Sequence, residues 1–169
     1  MTPAELLIES FSRVPEVASS AVSGLSEQEL AHRPDADANS IAWLVWHLAR
    51  AQDAQVAPLA GQEQVWRAAG WQDHFDLPFA AEAMGYGQSS ADVASVRASP
   101  DLLLGYLDAV HKRTVAYLQT LSEDDLDRVI DADDDPPITV GVRLVSVLDD
   151  CAQHAGQAAY LRGLIDRAD

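Results

Sequence analysis

One segment near the carboxyl end, residues 139–162, constrains the fold more than any other part of the sequence. Its apolar residues recur three or four positions apart, which is the pattern of one face of an α-helix. These residues are Leu144, Val147, Leu148, Cys151, Ala158 and Leu161. Asp150 and His154 lie on the same stripe, four residues apart, where helical side chains are neighbours. A carboxylate and an imidazole from this helix could therefore reach a single ion between packed helices.

Composition limits what can assemble around this helix. A chain of 169 residues with 48% hydrophobic residues fits a sizeable core, so we expect a single domain over residues 1–169. A net charge of -16 argues against nucleic acid and anionic membrane as partners, because phosphate groups are bound by clustered Lys and Arg. No apolar run approaches the ~18 residues that a membrane span needs, and the first residues lack the basic start of a signal peptide. The single cysteine excludes an intramolecular disulfide and agrees with a reducing compartment, so we expect a cytoplasmic protein.

Three further stretches are predicted to form long helices, over residues 3–24, 41–56 and 100–121. Apolar residues recur at helical spacing in each of them. Ser40 is a suitable N-cap for the second of these helices, and Pro58 is expected to stop it. Together with the segment near the carboxyl end they make four long helices.

The segment between the second and third long helices, residues 58–98, is too long for a bare turn between antiparallel helices. We therefore expect a crossover that carries short helices, one of them capped by Ser89 with Asp92. Four-helix bundles allow such a connection. The predicted fold class is all-α, a four-helix bundle with a long crossover between the second and third long helices.

Three residues form the candidate site: His47 from the second long helix, and Asp150 and His154 from the fourth. His47 shares a helix face with apolar residues and is expected to point inward. Bundle cores hold metal sites made from facing helices, and two imidazoles with one carboxylate leave coordination positions open. The alternative is a buried hydrogen-bonded pair between Asp150 and a histidine, and spacing alone does not separate the two. Cys151 could add a soft ligand, although an ordinary buried thiol is the expectation.

The remaining polar residues carry weaker signals. Arg143 lies two turns before Asp150 and could face the same opening, but ion pairing on the surface of a very acidic protein is the preferred interpretation. For Arg50, three residues after His47, the two interpretations stay open. None of these arginines is predicted to be catalytic. Three further histidines are expected to be structural or surface residues: His32, His74 and His111.

Two segments resemble the hallmark segments of the DinB-like superfamily: SIAWLVWHLAR around His47, and DDCAQHAGQAAYLRGLI near the carboxyl end. The nearer resemblance is to the mycothiol-linked branch, which includes the N-terminal domain of mycothiol-dependent maleylpyruvate isomerase. It covers essentially the whole chain and implies a DinB-like four-helix bundle with metal ligands at His47, Asp150 and His154. Where many members have a third histidine and the isomerase-type members have Glu, this chain has Asp150, which is one methylene shorter than Glu.

This resemblance also implies a function. The expected activity is that of a metal-dependent thiol S-transferase, which uses mycothiol or a similar low-molecular-weight thiol on an electrophilic small molecule. Zinc is the expected metal, with nickel, iron or manganese as substitutes, because affinity order alone does not choose among divalent transition metals. The alternatives are a metal-dependent hydrolase that activates water, or a non-enzymatic bundle that binds metal or a small molecule. A homodimer formed through helix faces is expected from the same resemblance.

Overall fold

The structure is a computed structural model and describes residues 1–168. Four long helices dominate it, and short helices and a pair of short strands occupy the connections. In chain order the elements are α1 (Pro3–Val22), α2 (Glu27–Leu30), α3 (Ile41–Leu59), α4 (Val65–Ala68), α5 (Trp71–Phe75), α6 (Ser90–Ser95), α7 (Pro100–Leu118), α8 (Glu123–Leu126), β1 (Val129–Asp131), β2 (Ile138–Thr139) and α9 (Val140–Ile165).

The four long helices pack as a bundle. α3 packs against α9 and α7, and α1 packs against the same two helices from the opposite side. Each helix contributes large, fully buried apolar side chains to the core between them, among them Phe11, Trp46, Leu107 and Leu144. The predicted four-helix bundle is therefore confirmed. No helix within residues 1–168 is long and apolar enough to cross a lipid bilayer.

The start of each expected helix agrees with the structure better than its end. Ser40 caps α3 by accepting a hydrogen bond from the amide of Trp43 at 3.1 Å, and Ser89 forms the predicted reciprocal cap with Asp92 at the start of α6. The predicted stop at Pro58 is wrong, because α3 continues through it to Leu59. A proline so close to a carboxyl end breaks little of the helix that precedes it.

Two further differences from expectation concern the end of α7 and a pair of short strands. α7 ends at Leu118 rather than at residue 121, because the amides of Thr120 and Leu121 bond to carbonyls three residues back and tighten the chain into a turn. The all-α prediction also misses the antiparallel pair β1–β2, in which Val129 lies opposite Thr139. Strands of two or three residues are too short to give a periodic pattern.

Candidate metal site

The structure brings the three predicted site residues together at the seam between α3 and α9. His47 is 2% exposed, whereas Asp150 and His154 are half-buried on consecutive turns of α9. Nε2 of His47 lies 3.7 Å from Oδ2 of Asp150, and Nε2 of His154 lies 3.5 Å from Oδ1 of the same carboxylate. One ligand atom from each residue lies within 4.8 Å of the other two. These residues could therefore hold one divalent metal ion.

His47 is held in the state that a metal ligand requires. Its Nδ1–H donates a hydrogen bond to the main-chain carbonyl of Met84, which leaves Nε2 unprotonated and facing Asp150. Trp43 stacks on the imidazole, with the ring centroids 4.7 Å apart. Burial lowers the pKa of His47 below its ordinary value, and His154 lowers it further, against the opposing effects of the Met84 carbonyl and Asp150. The ring is therefore neutral at neutral pH and can donate its Nε2 lone pair.

The carboxylate of Asp150 is the strongest local indication of a bound cation. Its Oδ2 is buried and has no hydrogen-bond partner among residues 1–168. A buried carboxylate oxygen without a partner is costly, and a cation removes that cost. The separations of 3.5 and 3.7 Å exceed ordinary hydrogen-bond lengths. They are close to the roughly 3.4 Å expected between two ligands of a tetrahedral ion with bonds of about 2.1 Å. The donor set therefore fits a divalent transition metal better than a hydrogen-bonded pair.

His154 completes this donor set from the side nearer to solvent. Its Nδ1 lies 3.0 Å from Oε1 of Gln157, one turn later on α9. A donor hydrogen bond from Nδ1 to this amide oxygen directs the free Nε2 toward Asp150. Both histidines thus have an outer partner that fixes the ring orientation, one from the crossover and one from α9 itself.

Gly85 allows the crossover to come this close to His47. Its φ of 109° lies in a region that side chains disfavour, and a Cβ atom there would be 2.5 Å from Nδ1 of His47 and 3.0 Å from Trp43. Only glycine can occupy this position without moving the imidazole. Gly87 also has a positive φ of 70°, but a Cβ atom there would meet nothing within 4 Å.

We expect Gly85→Ala to weaken metal binding by about 10- to 100-fold, the range typical for the loss of a ligand's outer partner. Backbone strain in this variant should also lower the free energy of unfolding by about 1–3 kcal/mol. Gly87→Ala is the matched control, because it adds strain of about 1–2 kcal/mol without touching His47. Competition against a chromogenic chelator measures the affinities. Equal metal affinity in the two variants would contradict the role given to Gly85.

A buried hydrogen-bond network, one helical turn after His47 on α3, holds the preceding part of the crossover in place. Arg50 is fully buried and donates hydrogen bonds to the carbonyls of Ala81 and Ala83, at 3.4 and 3.2 Å. Its guanidinium also bonds to the hydroxyl of Tyr106 at 3.2 Å, and that hydroxyl donates to Asp53 at 2.9 Å. Burial, with the charge of Asp53 adding to it, raises the pKa of Tyr106 well above its ordinary value, so the phenol keeps its proton. Arg50 is therefore a structural residue that holds the chain leading to Met84.

Cys151 lies away from the candidate metal site. Its thiol is fully buried and points to α3, with Sγ 3.4 Å from the carbonyl oxygen of Leu48 and 3.8 Å from Oε1 of Gln52. Burial raises the pKa of this thiol, and the charge of Asp150 raises it further. The expectation of an ordinary buried thiol agrees with this position.

Cys151→Ala is expected to leave metal affinity within about 2-fold of the parent protein, because the thiol is not a ligand, and to cost roughly 1 kcal/mol of stability. In the folded parent protein the thiol should not react with a disulfide reagent at neutral pH, since burial prevents both access and ionisation. The same reagent added in denaturant provides the control, where one thiol per chain should react. Metal loss in the alanine variant would show that Cys151 contributes to the site.

The other histidines and Arg143 are placed as follows. His111 is half-buried beside Ser12 and has a pKa lowered mainly by burial, and His74 packs edge-on against Trp71. Neither of them belongs to the metal-capable group, nor does His32. Arg143 does not match the preferred interpretation of surface ion pairing, because its hydrogen bond goes to the neutral side chain of Gln55 at 2.5 Å.

Comparison with known proteins places the chain in a family. The sequence profile of the DinB superfamily matches residues 10–158. The chain belongs to the DinB superfamily. A solved DinB-like bundle described as the conserved protein of locus from Enterococcus faecalis is 33% identical in sequence, with a TM-score of 0.90 and coverage of 96% of each chain. No curated protein matches the sequence.

Proposed function

We propose that this DinB superfamily protein is a metal-dependent thiol S-transferase that uses mycothiol or a similar low-molecular-weight thiol. The proposed metal is zinc, held by His47, Asp150 and His154. The observation that carries the proposal is the buried, unpartnered Oδ2 of Asp150 at a place where the ring nitrogens of two histidines converge. Three protein ligands leave at least one coordination position free, as in catalytic zinc sites.

Access to the site also supports an enzyme. A groove of about 440 Å³ opens beside Asp150 and is bordered by Tyr86, which is 55% exposed and packs edge-on against His47. A structural metal site is normally closed to solvent, whereas a catalytic site needs a path for substrate. A groove of this size admits a small molecule.

The chemistry divides between the bound ion and the protein. A divalent ion with an open position lowers the pKa of a thiol that occupies it, so that the thiolate exists near neutral pH. The residues of this chain orient the two imidazoles, through Met84 and Gln157, and keep His47 neutral. In the transfer itself the thiol loses its proton to solvent, its sulfur bonds to the electrophilic carbon, and the displaced electron pair leaves with the departing group.

Two measurements on the purified, tag-free protein test this proposal. Elemental analysis should find about one zinc or other transition metal per chain, and His47→Ala should lose it. The metal-loaded protein should then consume mycothiol or another small thiol in the presence of a chromogenic aryl halide, while the metal-free protein should not. A protein that binds metal but consumes no thiol would overturn the transferase proposal, and release of acid from an ester panel would then identify water as the nucleophile.

A further inference from the structure

The groove beside the metal site follows the seam between α3 and α9. These helices run antiparallel, so that His47 faces Asp150 while Gln55, eight residues later, faces Arg143, seven residues earlier. Seven helical residues span about 10 Å along the helix axis. The groove thus extends from the candidate metal site to a pair of polar side chains about two turns away.

Midway along the groove, each of the two helices contributes an apolar side chain. Ala51 and Val147 are both buried and lie halfway along it, one from each helix. Tyr86 borders the same groove at the end nearer to His47. A ligand that fills this space therefore meets the side chains of Ala51 and Val147 in its middle section.

Arg143 gives the far end of the groove a positive charge that the protein itself does not neutralise. Its guanidinium is half-buried and forms no ion pair with a carboxylate in the part of the chain that the structure describes. Carboxylates are abundant in this chain, with 27 acidic residues against 11 lysines and arginines. A half-buried arginine held by the neutral Gln55 instead is available to an anion, and guanidinium binds carboxylate with two parallel hydrogen bonds.

We propose that Arg143 and Gln55 form an anion-binding end of the groove. The ligand is an elongated small molecule with a metal-binding group at one end, an apolar middle section and a carboxylate at the other end. The assignment of the metal-binding end depends on the function proposed above, and among low-molecular-weight thiols it favours one that carries a carboxylate, a group that mycothiol lacks. The assignment of the carboxylate depends only on Arg143, Gln55 and the shape of the groove.

A matched pair of probes tests this inference: 6-mercaptohexanoate and 6-mercaptohexanol, which differ only in the carboxylate. Calorimetric titration of the zinc-loaded protein should show the carboxylate probe binding at least about 10-fold tighter, as expected for one charge-assisted pair of hydrogen bonds. Arg143→Gln should reduce this preference to under about 2-fold. Arg113→Gln is the control, because Arg113 also bonds to a glutamine, Gln62, and carries the same charge, but lies outside the groove.

The same comparison with hexanoate and hexanol on the metal-free protein makes the outcome independent of the metal. Weaker binding with the same dependence on Arg143 is expected there. Equal binding of the acid and the alcohol in both forms of the protein, or an equal loss in the two arginine variants, would overturn the anion-binding end. A preference for carboxylate in a protein that consumes no thiol would support this inference and overturn the transferase proposal, whereas thiol transfer without any dependence on Arg143 would do the reverse.

Discussion

Asp150→Ala is expected to lower the affinity of the protein for zinc by more than about 100-fold, beyond the roughly 10- to 100-fold typical for the loss of an outer partner. Asp150 is the central donor of the group, because each of its two oxygens faces a different histidine, at 3.7 and 3.5 Å. Removing it leaves two imidazole ligands and no negative charge to offset the ion. The variant should also relieve the metal-free protein of a buried, unpartnered oxygen, so that its own stability changes little.

Competition against a chromogenic chelator and thermal melting measure the two effects separately. At a zinc concentration about 100 times Kd, binding should stabilise the parent protein by about 2.7 kcal/mol and raise Tm by about 5–10 °C. The Asp150→Ala variant should show no such rise. Asp149→Ala is the matched control, since it removes the adjacent exposed carboxylate, which accepts a hydrogen bond from the side-chain amide of Gln153. A large stability loss in Asp150→Ala with unchanged zinc affinity would identify a structural pair instead of a metal site.

The position of Asp150 and His154 was predictable because both lie on one helix, where the spacing of four residues fixes their relation. The inward direction of His47 followed from its apolar neighbours on α3 in the same way. Helix periodicity also gave the four long helices and their packing into a bundle. Local spacing therefore accounts for the residues of the candidate site that regular helices carry.

The groups that orient His47 were not predictable, because they are backbone atoms of the crossover, a segment without a periodic sequence pattern. The Met84 carbonyl that binds His47 has no signature in the sequence, because every residue has a carbonyl. The close contact between Gly85 and His47 is marked only by a glycine, and the same segment contains several other glycines. The buried pair Arg50 and Asp53 did leave a signal, two opposite charges three residues apart in a helix whose other residues are mostly apolar. That signal indicates a buried network, but its partners in the crossover depend on the tertiary fold.

One face of α3 carries the metal-site histidine and also binds the backbone of the crossover. His47, Arg50 and Asp53 follow one another at intervals of three residues, and each binds main-chain atoms of the crossover. His47 and Arg50 donate hydrogen bonds to carbonyls of the crossover, whereas Asp53 accepts hydrogen bonds from two main-chain amides at the start of α4. The path of the crossover and the orientation of His47 are thus determined together. A substitution at Asp53 should therefore shift the crossover backbone and, with it, the His47 ring at the metal site.

Asp53→Asn is expected to lower the free energy of unfolding by about 3–5 kcal/mol, the cost of leaving a buried charge without its partner. Asp53 is 3% exposed, its oxygens accept the amides of Val65 and Trp66 at 2.9 and 2.8 Å, and Oδ2 lies 3.7 Å from the buried guanidinium of Arg50. Asparagine keeps the size of the side chain but supplies only one acceptor oxygen and no charge. The network then loses an acceptor and its only carboxylate among the described residues, while Arg50 stays buried and charged.

Urea denaturation of the metal-free protein measures this cost, which corresponds to a fall in Tm of about 6–20 °C for a chain of this size. Glu82→Gln is the control, because Glu82 pairs with Arg67 in the same crossover but on the exposed surface, where a broken pair costs about 0–1 kcal/mol. Zinc affinity should also fall in Asp53→Asn and not in Glu82→Gln, since only the former loosens the segment that ends at Met84. If Asp53→Asn costs no more than Glu82→Gln, the buried network does not hold the crossover, and the orientation of His47 must depend on the Met84 carbonyl, Gly85 and Trp43 without it.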